Sequence, residues 1–530
     1  MLDLILRGGE ILDGTGARPR RADLGIIGDR IAALGDLANA ASAQVIDATG
    51  RFVAPGFIDV HTHTDETIFL NPRMESKIHQ GVTTEVTGNC GDSAAPLFGA
   101  AYDSLKKSIA EYGNISLTWN SMGEYLDRVE QMGISTNYVT FVGYGTLRAS
   151  VMGYAMRAPS EEELVSMQTL LARSMDEGAW GISTGLIYPP CSYASLDELV
   201  AVSRIAAERG GLYTSHIRNE GDRLLESVEE ALTIGERAGI RVQLSHHKAA
   251  GKRNWGKVQQ SMARIEQARA GGIHVCADQY PYVASSTGLG TVLPDWAHEG
   301  GNEMLVERLR EPETRAHIAD EIRTARPGWE NPAVDSGWHN IIIVGAKSDR
   351  ALQGKSVWQI AEMRGKDPVE TACDLLIENQ GTVQVVIFSM CEEDVQTVMR
   401  QDWVFVGSDS TARVPTGPLA EIQCHPRTYG TFPRLLSRYV RELQVLTWEQ
   451  AIAKMTNGPA QMLGLERRGR LQEGYFGDVV VFDPAAIRDT STFTEPHQFP
   501  AGIDYVLVNG KITIDHDQHT GILAGKVLRH

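Results

Sequence analysis

The stretch Pro55-Gly56-Phe57-Ile58-Asp59-Val60-His61-Thr62-His63 is a short apolar run that ends in two histidines at i and i+2. Side chains two apart on a strand point to the same side, so both imidazoles face one point off the strand end. The same texture, an apolar strand with a polar tip, recurs along the middle of the chain. It is seen at Thr84 to Cys90, Val139 to Tyr144, Trp180 to Thr184, Leu212 to His216, Val242 to His246, Val275 to Tyr280 and Val404 to Asp409. Glu161 to Asp176 and Leu196 to Arg209 carry helical apolar spacing between these strands. Eight strand tips alternating with helices predict an α/β fold, a (β/α)8 TIM barrel. An open doubly wound sheet would show a Gly-rich phosphate turn after an early strand, and the sequence has none.

Outside this section the texture changes. Leu4 to Leu6, Glu10 to Leu12, Asp23 to Ile27 and Gln44 to Asp47 read as short strands separated by turns such as Asp13-Gly14-Thr15-Gly16. Gly477 to Asp483 and Tyr505 to Gly510 have the same character at the other end. The expected organisation is a small β-sandwich domain made by both termini, 1–54 and 466–530, around a barrel at 55–465. An insertion at about 284–340 follows a late barrel strand. It holds a charged helical run, Glu303 to Thr324, with Trp296, Trp329 and Trp338 nearby. A long insertion at that place reads as a lid over the site, against a surface packing arm.

Composition narrows the function. The chain has 530 residues, 42% hydrophobic and 22% charged, as a globular protein has. Fifty Lys and Arg against 67 Asp and Glu give a formal charge of −17, which argues against nucleic acid and anionic membrane surfaces as partners. Six cysteines without a C-x-x-C pair exclude a disulfide scaffold and fit a reducing, cytoplasmic compartment. Neither a signal peptide nor a membrane-spanning run is read in the sequence.

His216 and His246 end two later strands and Asp409 ends another. Strand tips on one face of a barrel converge, so these residues meet His61 and His63 in space and form a metal site. Histidine and carboxylate ligands suit zinc. Cys90, in Thr87-Gly88-Asn89-Cys90-Gly91, favours zinc over magnesium or calcium if its thiolate joins them. The competing reading of Cys90 is a small buried hydrophobe, against which its Gly- and Asn-rich turn argues. Gly181-Ile182-Ser183-Thr184-Gly185 matches the G-x-S-x-G nucleophile elbow, but Pro189-Pro190 soon after it makes a poor helix start, so Ser183 is read as structural. Lys248 lies two residues past His246 on the same side, and Arg427 follows Asp409 in the chain. Tyr188, Tyr280 and Ser286 are donors at other tips, and Tyr282 and Arg218 are rival candidates.

These motifs carry a resemblance. The chain resembles the amidohydrolase superfamily and, more narrowly, the D-aminoacylases (N-acyl-D-amino acid deacylases). The resemblance spans nearly the whole length. It rests on Gly56 to His63, Gly88-Asn89-Cys90-Gly91, Ser215-His216-Ile217-Arg218-Asn219-Glu220, Ser245-His246-His247-Lys248, Gly407-Ser408-Asp409 and His425-Pro426-Arg427. It implies zinc-dependent hydrolysis of the amide of an N-acyl-D-amino acid, a small-molecule substrate, with homo-oligomers left open. It implies that Cys90 stands where many superfamily members carry a carboxylated lysine, since Ala179 to Pro190 contains no lysine. Cys90, His216 and His246 would then hold one tight zinc. His61, His63 and Asp409 would frame a second, weaker position or support the first. Asp409 would be the general base and acid. Lys248, Tyr280 and Arg427, with Tyr188 and Ser286, would bind the substrate. The alternative is a cyclic-amide hydrolase of the dihydropyrimidinase or hydantoinase kind. The apolar run Thr287 to Trp296, with no Lys or Arg, favours a hydrophobic substrate side chain over an acidic one.

Overall fold

The computed structural model describes residues 1–110, 115–324 and 329–530. Its centre is an eight-stranded parallel barrel. The strands are Phe57–Asp59, Val82–Thr87, Asn137–Thr140 continued by Val142–Gly143, Gly181–Gly185, Leu212–His216, Arg241–Leu244, Val275–Gln279 and Val404–Val406. Each pairs in parallel with the next. The ring closes beyond the ends of the first and last strands, where Asp409 N donates to His61 O at 2.8 Å and His63 N to Ser410 O at 3.1 Å. Every residue of Val82–Thr87, Gly181–Gly185 and Leu212–His216 is buried. This is why these strands read as continuous runs, as parallel strands covered by helices do.

The helices start where the sequence marks them. Ser160 accepts from Glu163 N while the Glu163 carboxylate reaches back to Ser160 N, a capping box that opens Glu161–Asp176. Ser195 caps Leu196–Ala207 by accepting from Glu198 N, without the reciprocal carboxylate contact.

The termini pair into one nine-stranded sheet. The join is antiparallel, between Phe52–Pro55 and Val479–Phe482. Alternation gives this sheet two apolar faces. Val479 and Val481 pack with Leu4, Leu6 and Leu24, whereas Val480 and Phe482 pack with Phe57, Phe432 and Leu436 against the barrel. Pairing is continuous from one terminus to the other, so the β-domain expected from both chain ends is built on a single sheet. The two short strands expected at Leu4 and Glu10 are one, Leu2–Ile11, because a bulge at Gly8, with φ of 72°, lets the chain bend without leaving the sheet.

After the seventh barrel strand the chain leaves the barrel and forms a lobe of its own. Ala284–Gly288 and Ile341–Gly345 both pair antiparallel with Gln384–Phe388. Leu289, Leu305, Ile318, Ile343, Ile360 and Val385 share its core, with Trp296, Trp329 and Trp338 packed against it. The insertion, expected to end near Asn340, runs on to Phe388, since a strand at its far end completes the sheet begun at Ala284. The helical run expected over Glu303 to Thr324 is two helices, Asn302–Arg310 and Pro312–Thr324. Pro312 forces Glu311 into extended backbone, with ψ of 119°, and ends the first helix there.

Candidate metal centre

Three of the strand tips end in backbone that L-residues seldom adopt. Cys90, His246 and Asp409 have φ of 52°, 37° and 49°, in the left-handed region. Strain of this kind persists only where the surroundings over-determine it, and such residues gather at functional sites. The surroundings here are specific. Ser183 donates to Gly88 O at 2.5 Å and accepts from Gly91 N at 3.0 Å, tying down both sides of the Cys90 turn. A Cβ on Gly185 would lie 2.1 Å from Cys90 O, so only glycine lets the turn pass. The G-x-S-x-G of the fourth strand is thus a brace for the cysteine.

The turns bring the candidate residues together. Cys90 Sγ lies 3.3 Å from His61 Nε2, 4.0 Å from His216 Nδ1 and 3.6 Å from His246 Nε2. Asp409 Oδ1 is 2.9 Å from His63 Nε2 and 3.5 Å from His61 Nε2. Two metal-sized groups result, Cys90 with His216 and His246, and His61 with His63, Cys90 and Asp409, and the cysteine belongs to both.

The charges of the cluster suit a cation. Burial pushes the Cys90 thiol up, but His61, His216 and His246 around it outweigh this and hold it well below its ordinary value. Burial likewise raises Asp409, yet Arg427, His61 and His63 bring it well below the carboxylate range. In return His63 is pushed up to about 9 against its burial by Asp409 and Cys90. His246 is pushed up to about 9 against burial and Lys248 by Glu220 and Cys90. A thiolate, a carboxylate and imidazole nitrogens converging within ligand distance of one another are the donor set zinc takes.

The cluster sits in a cavity of about 1040 Å3 lined by the barrel tips and by the insertion. Lys248, Tyr188, Tyr280, Ser286 and Arg427 all line it. Their polar atoms differ in availability. Tyr280 Oη is buried without a partner, and so is Arg427 Nε. Arg427 Nη1 lies 2.9 Å from Asp409 Oδ2, close enough for an ion pair but not aligned as a hydrogen bond, and its guanidinium covers the Tyr280 ring at 4.6 Å. Lys248 Nζ is engaged with Glu220 Oε1 at 2.5 Å and with His246 O at 2.8 Å. Ser286 donates to Val385 O at 2.9 Å, so its hydroxyl proton is turned into the insertion's sheet. Tyr188 Oη is 3.0 Å from Thr287 Oγ1. Of the rivals, Arg218 is tied to Glu230 and to the Ser192 and Ala194 carbonyls, and Tyr282 Oη is buried without a partner beside His425.

Comparison with known proteins decides the family. A model of the amidohydrolase family matches residues 44–514. The chain is 38% identical to a D-aminoacylase of Alcaligenes xylosoxydans xylosoxydans, covering 99% of this chain and 97% of that one. It is 39% identical to an N-acyl-D-glutamate deacylase of the same organism, covering 96% and 93%. The crystal structure of an N-acyl-D-glutamate deacylase from Bordetella bronchiseptica, complexed with zinc and a phosphonate inhibitor, superposes with a TM-score of 0.84 at 36% identity over the whole of both chains. The chain belongs to the amidohydrolase family.

Two acids of this amidohydrolase site were given no role from sequence. Asp278, at the end of the seventh strand, lies 3.1 Å from His61 Nδ1 and accepts from Gln243 Nε2 at 2.7 Å and from His246 N at 2.8 Å. Glu220 stands behind His216, His246 and Lys248. Asp278 lies within the Val275-to-Tyr280 strand tip and Glu220 within the Ser215-to-Glu220 motif. Glu220 lines the cavity and Asp278 does not, and spacing alone does not separate a supporting acid from a structural one. Among the described residues no helix is long and apolar enough to cross a membrane.

Proposed function

We propose that this amidohydrolase is a zinc-dependent deacylase of N-acyl-D-amino acids, releasing a carboxylate and a D-amino acid. The observation that carries this reading is the meeting of Cys90, His216, His246, His61, His63 and Asp409 in one cluster at the floor of the cavity. Relatives named for deacylation of D-amino acids, alike over nearly the whole chain, support it. When bound, zinc supplies Lewis-acid polarisation of the amide carbonyl and makes water acidic enough to attack near neutral pH. Cys90, His216 and His246 are the proposed ligands of the tight ion, with His61, His63 and Asp409 framing a weaker position that shares Cys90.

Asp409 is the proposed general base. Its Oδ1, held by His63, faces the cluster and takes the proton of the attacking water, then hands it to the leaving amine nitrogen. Arg427, Tyr280 and Lys248 form a positive wall for the substrate's α-carboxylate in a protein whose net charge is negative. The unpartnered Tyr280 Oη and Arg427 Nε are donors waiting for an acceptor there. Tyr188 closes the side next to His216, whose ring it meets at 5.1 Å. A kinetic screen of N-acetyl-D- and N-acetyl-L-amino acids, set beside hydantoin and dihydropyrimidine rings, tests the assignment. Hydrolysis confined to D-configured linear amides is expected, and preferential ring opening would overturn it.

A further inference from the structure

One carboxylate faces the outer nitrogens of two of the proposed ligands. Glu220 Oε1 lies 3.0 Å from His246 Nδ1, whereas Glu220 Oε2, at 3.7 Å from His216 Nε2, stands beyond hydrogen-bond reach of a nitrogen that is buried without a partner. The opposite nitrogens, His246 Nε2 and His216 Nδ1, point at Cys90 Sγ. A neutral imidazole carries its hydrogen on one nitrogen only, and a metal takes the other. The hydrogen of each ring must therefore lie on the Glu220 side for both rings to offer a lone pair beside Cys90.

At His246 that arrangement is contested. Lys248 Nζ also approaches His246 Nδ1, at 2.7 Å, and an ammonium is a donor with no lone pair to offer. With Lys248 alone facing it, Nδ1 would have to accept, and the ring hydrogen would move to Nε2, the atom aimed at Cys90. Glu220 Oε1 reverses this, because it accepts from Lys248 at 2.5 Å and stands ready to accept from Nδ1 as well. His61 offers a comparison without the contest. Asp278 faces its Nδ1 at 3.1 Å, its Nε2 faces Cys90, and the side-chain donor that Asp278 also serves is the neutral amide of Gln243.

Glu220 is itself fixed from outside the barrel. Its backbone N donates to Glu330 Oε2 of the insertion at 2.5 Å, and its carbonyl accepts from Ala250 N at 2.8 Å.

We propose that Glu220 is a positioning residue that holds the ring hydrogen of His246 away from Cys90, against the competing Lys248 ammonium, so that this ring presents its lone pair to the metal. Carboxylate partners of ligand histidines fix tautomer and ring orientation in this way, and losing one lowers metal affinity about 10–100-fold. The inference rests on the proposed ligand set, so the test includes a control for that set.

Zinc affinity of the metal-stripped protein is measured by competition with a chromophoric chelator, with circular dichroism as the check of fold. Glu220→Ala should bind zinc about 10–100-fold more weakly than the unaltered protein. Adding Lys248→Met to Glu220→Ala removes the competing donor and should restore part of that loss, which a merely structural role for Glu220 would not do. If Glu220→Ala does not fold, Glu220→Gln fills the same space with one acceptor and one donor, and should also weaken zinc. Unchanged affinity in the Glu220 variant that folds, or a double variant no tighter than Glu220→Ala, overturns the proposal. Cys90→Ala separates the two failures. If it binds zinc as tightly as the unaltered protein, the ligand set is wrong. If it loses zinc while Glu220→Ala does not, only the role of Glu220 falls.

Discussion

The floor and the roof of the cavity are built on opposite principles. The floor is made of barrel tips. Its backbone is held in the left-handed region at Cys90, His246 and Asp409, and nearly every ionisable group there meets one of opposite charge. The roof is the insertion from Ala284 to Phe388, with its own sheet and an apolar core that does not reach the metal cluster. Leu293, Trp296 and Trp329 face the cavity from it. On the proposed reading, the difference teaches that the chemistry and the grip on the substrate's carboxylate belong to the floor, and selectivity for its side chain to the roof. Changes to the floor should abolish turnover whatever the substrate, and changes to the roof should re-rank substrates.

The largest effect should come from Cys90. Cys90→Ala removes the one donor common to both metal-sized groups, and a methyl group cannot ligate. Most bound zinc should be lost, and activity should fall by more than about a thousandfold. Zinc analysis beside kinetics checks this, and near-normal zinc content would break the picture of the floor. Asp409→Asn should come next. It keeps the shape but cannot accept a proton, so kcat should fall about 10²–10⁴-fold with the Cys90 zinc retained. An unchanged kcat would remove Asp409 from the proton path.

Lys248 stands on the boundary between chemistry and recognition. Lys248→Met keeps most of the stem and removes the charge. It should lower kcat/KM on N-acyl-D-amino acids about ten- to a hundredfold, as the loss of a charge-assisted contact does. The matching substrate with its carboxylate converted to an amide should lose much less. Equal losses on both would mean that Lys248 acts only through Glu220 and His246. The smallest effect is expected from the roof. Trp296→Ala should lower kcat/KM on bulky aromatic D-side chains by about threefold or more, the scale of a lost apolar contact, and leave N-acetyl-D-alanine nearly unchanged. A uniform loss on all substrates would join roof and floor into one unit.

The floor was the more legible of the two. Its strands are almost wholly buried and each ends in a polar tip, five of the eight bearing His, Cys or Asp, so apolar runs with polar tips marked all eight of them, and the i, i+2 spacing of His61 and His63 placed both rings on one side. What the sequence left dark were contacts between tips. That Lys248 is held by Glu220, that Ser183 braces the Cys90 turn, and that Ser286 turns into the insertion's sheet all depend on which strand stands beside which. Spacing along one strand does not carry that. The roof was read only in outline. Its closing strand, Gln384–Phe388, lies nearly a hundred residues from its partner Ala284–Gly288, and no local pattern announces so distant a pairing. The helical run expected there is divided at Pro312, a boundary that the residue itself could have announced.

The central claim is that a metal held on the barrel floor hydrolyses linear N-acyl-D-amino acids. Its most direct test is the rate on N-acetyl-D-leucine and N-acetyl-L-leucine before zinc is stripped by a chelator, after stripping, and after zinc is returned. The account predicts hydrolysis of the D-isomer alone, lost on stripping and restored when zinc is added back. Hydrolysis that survives without metal, or that proceeds as fast on the L-isomer, would contradict it.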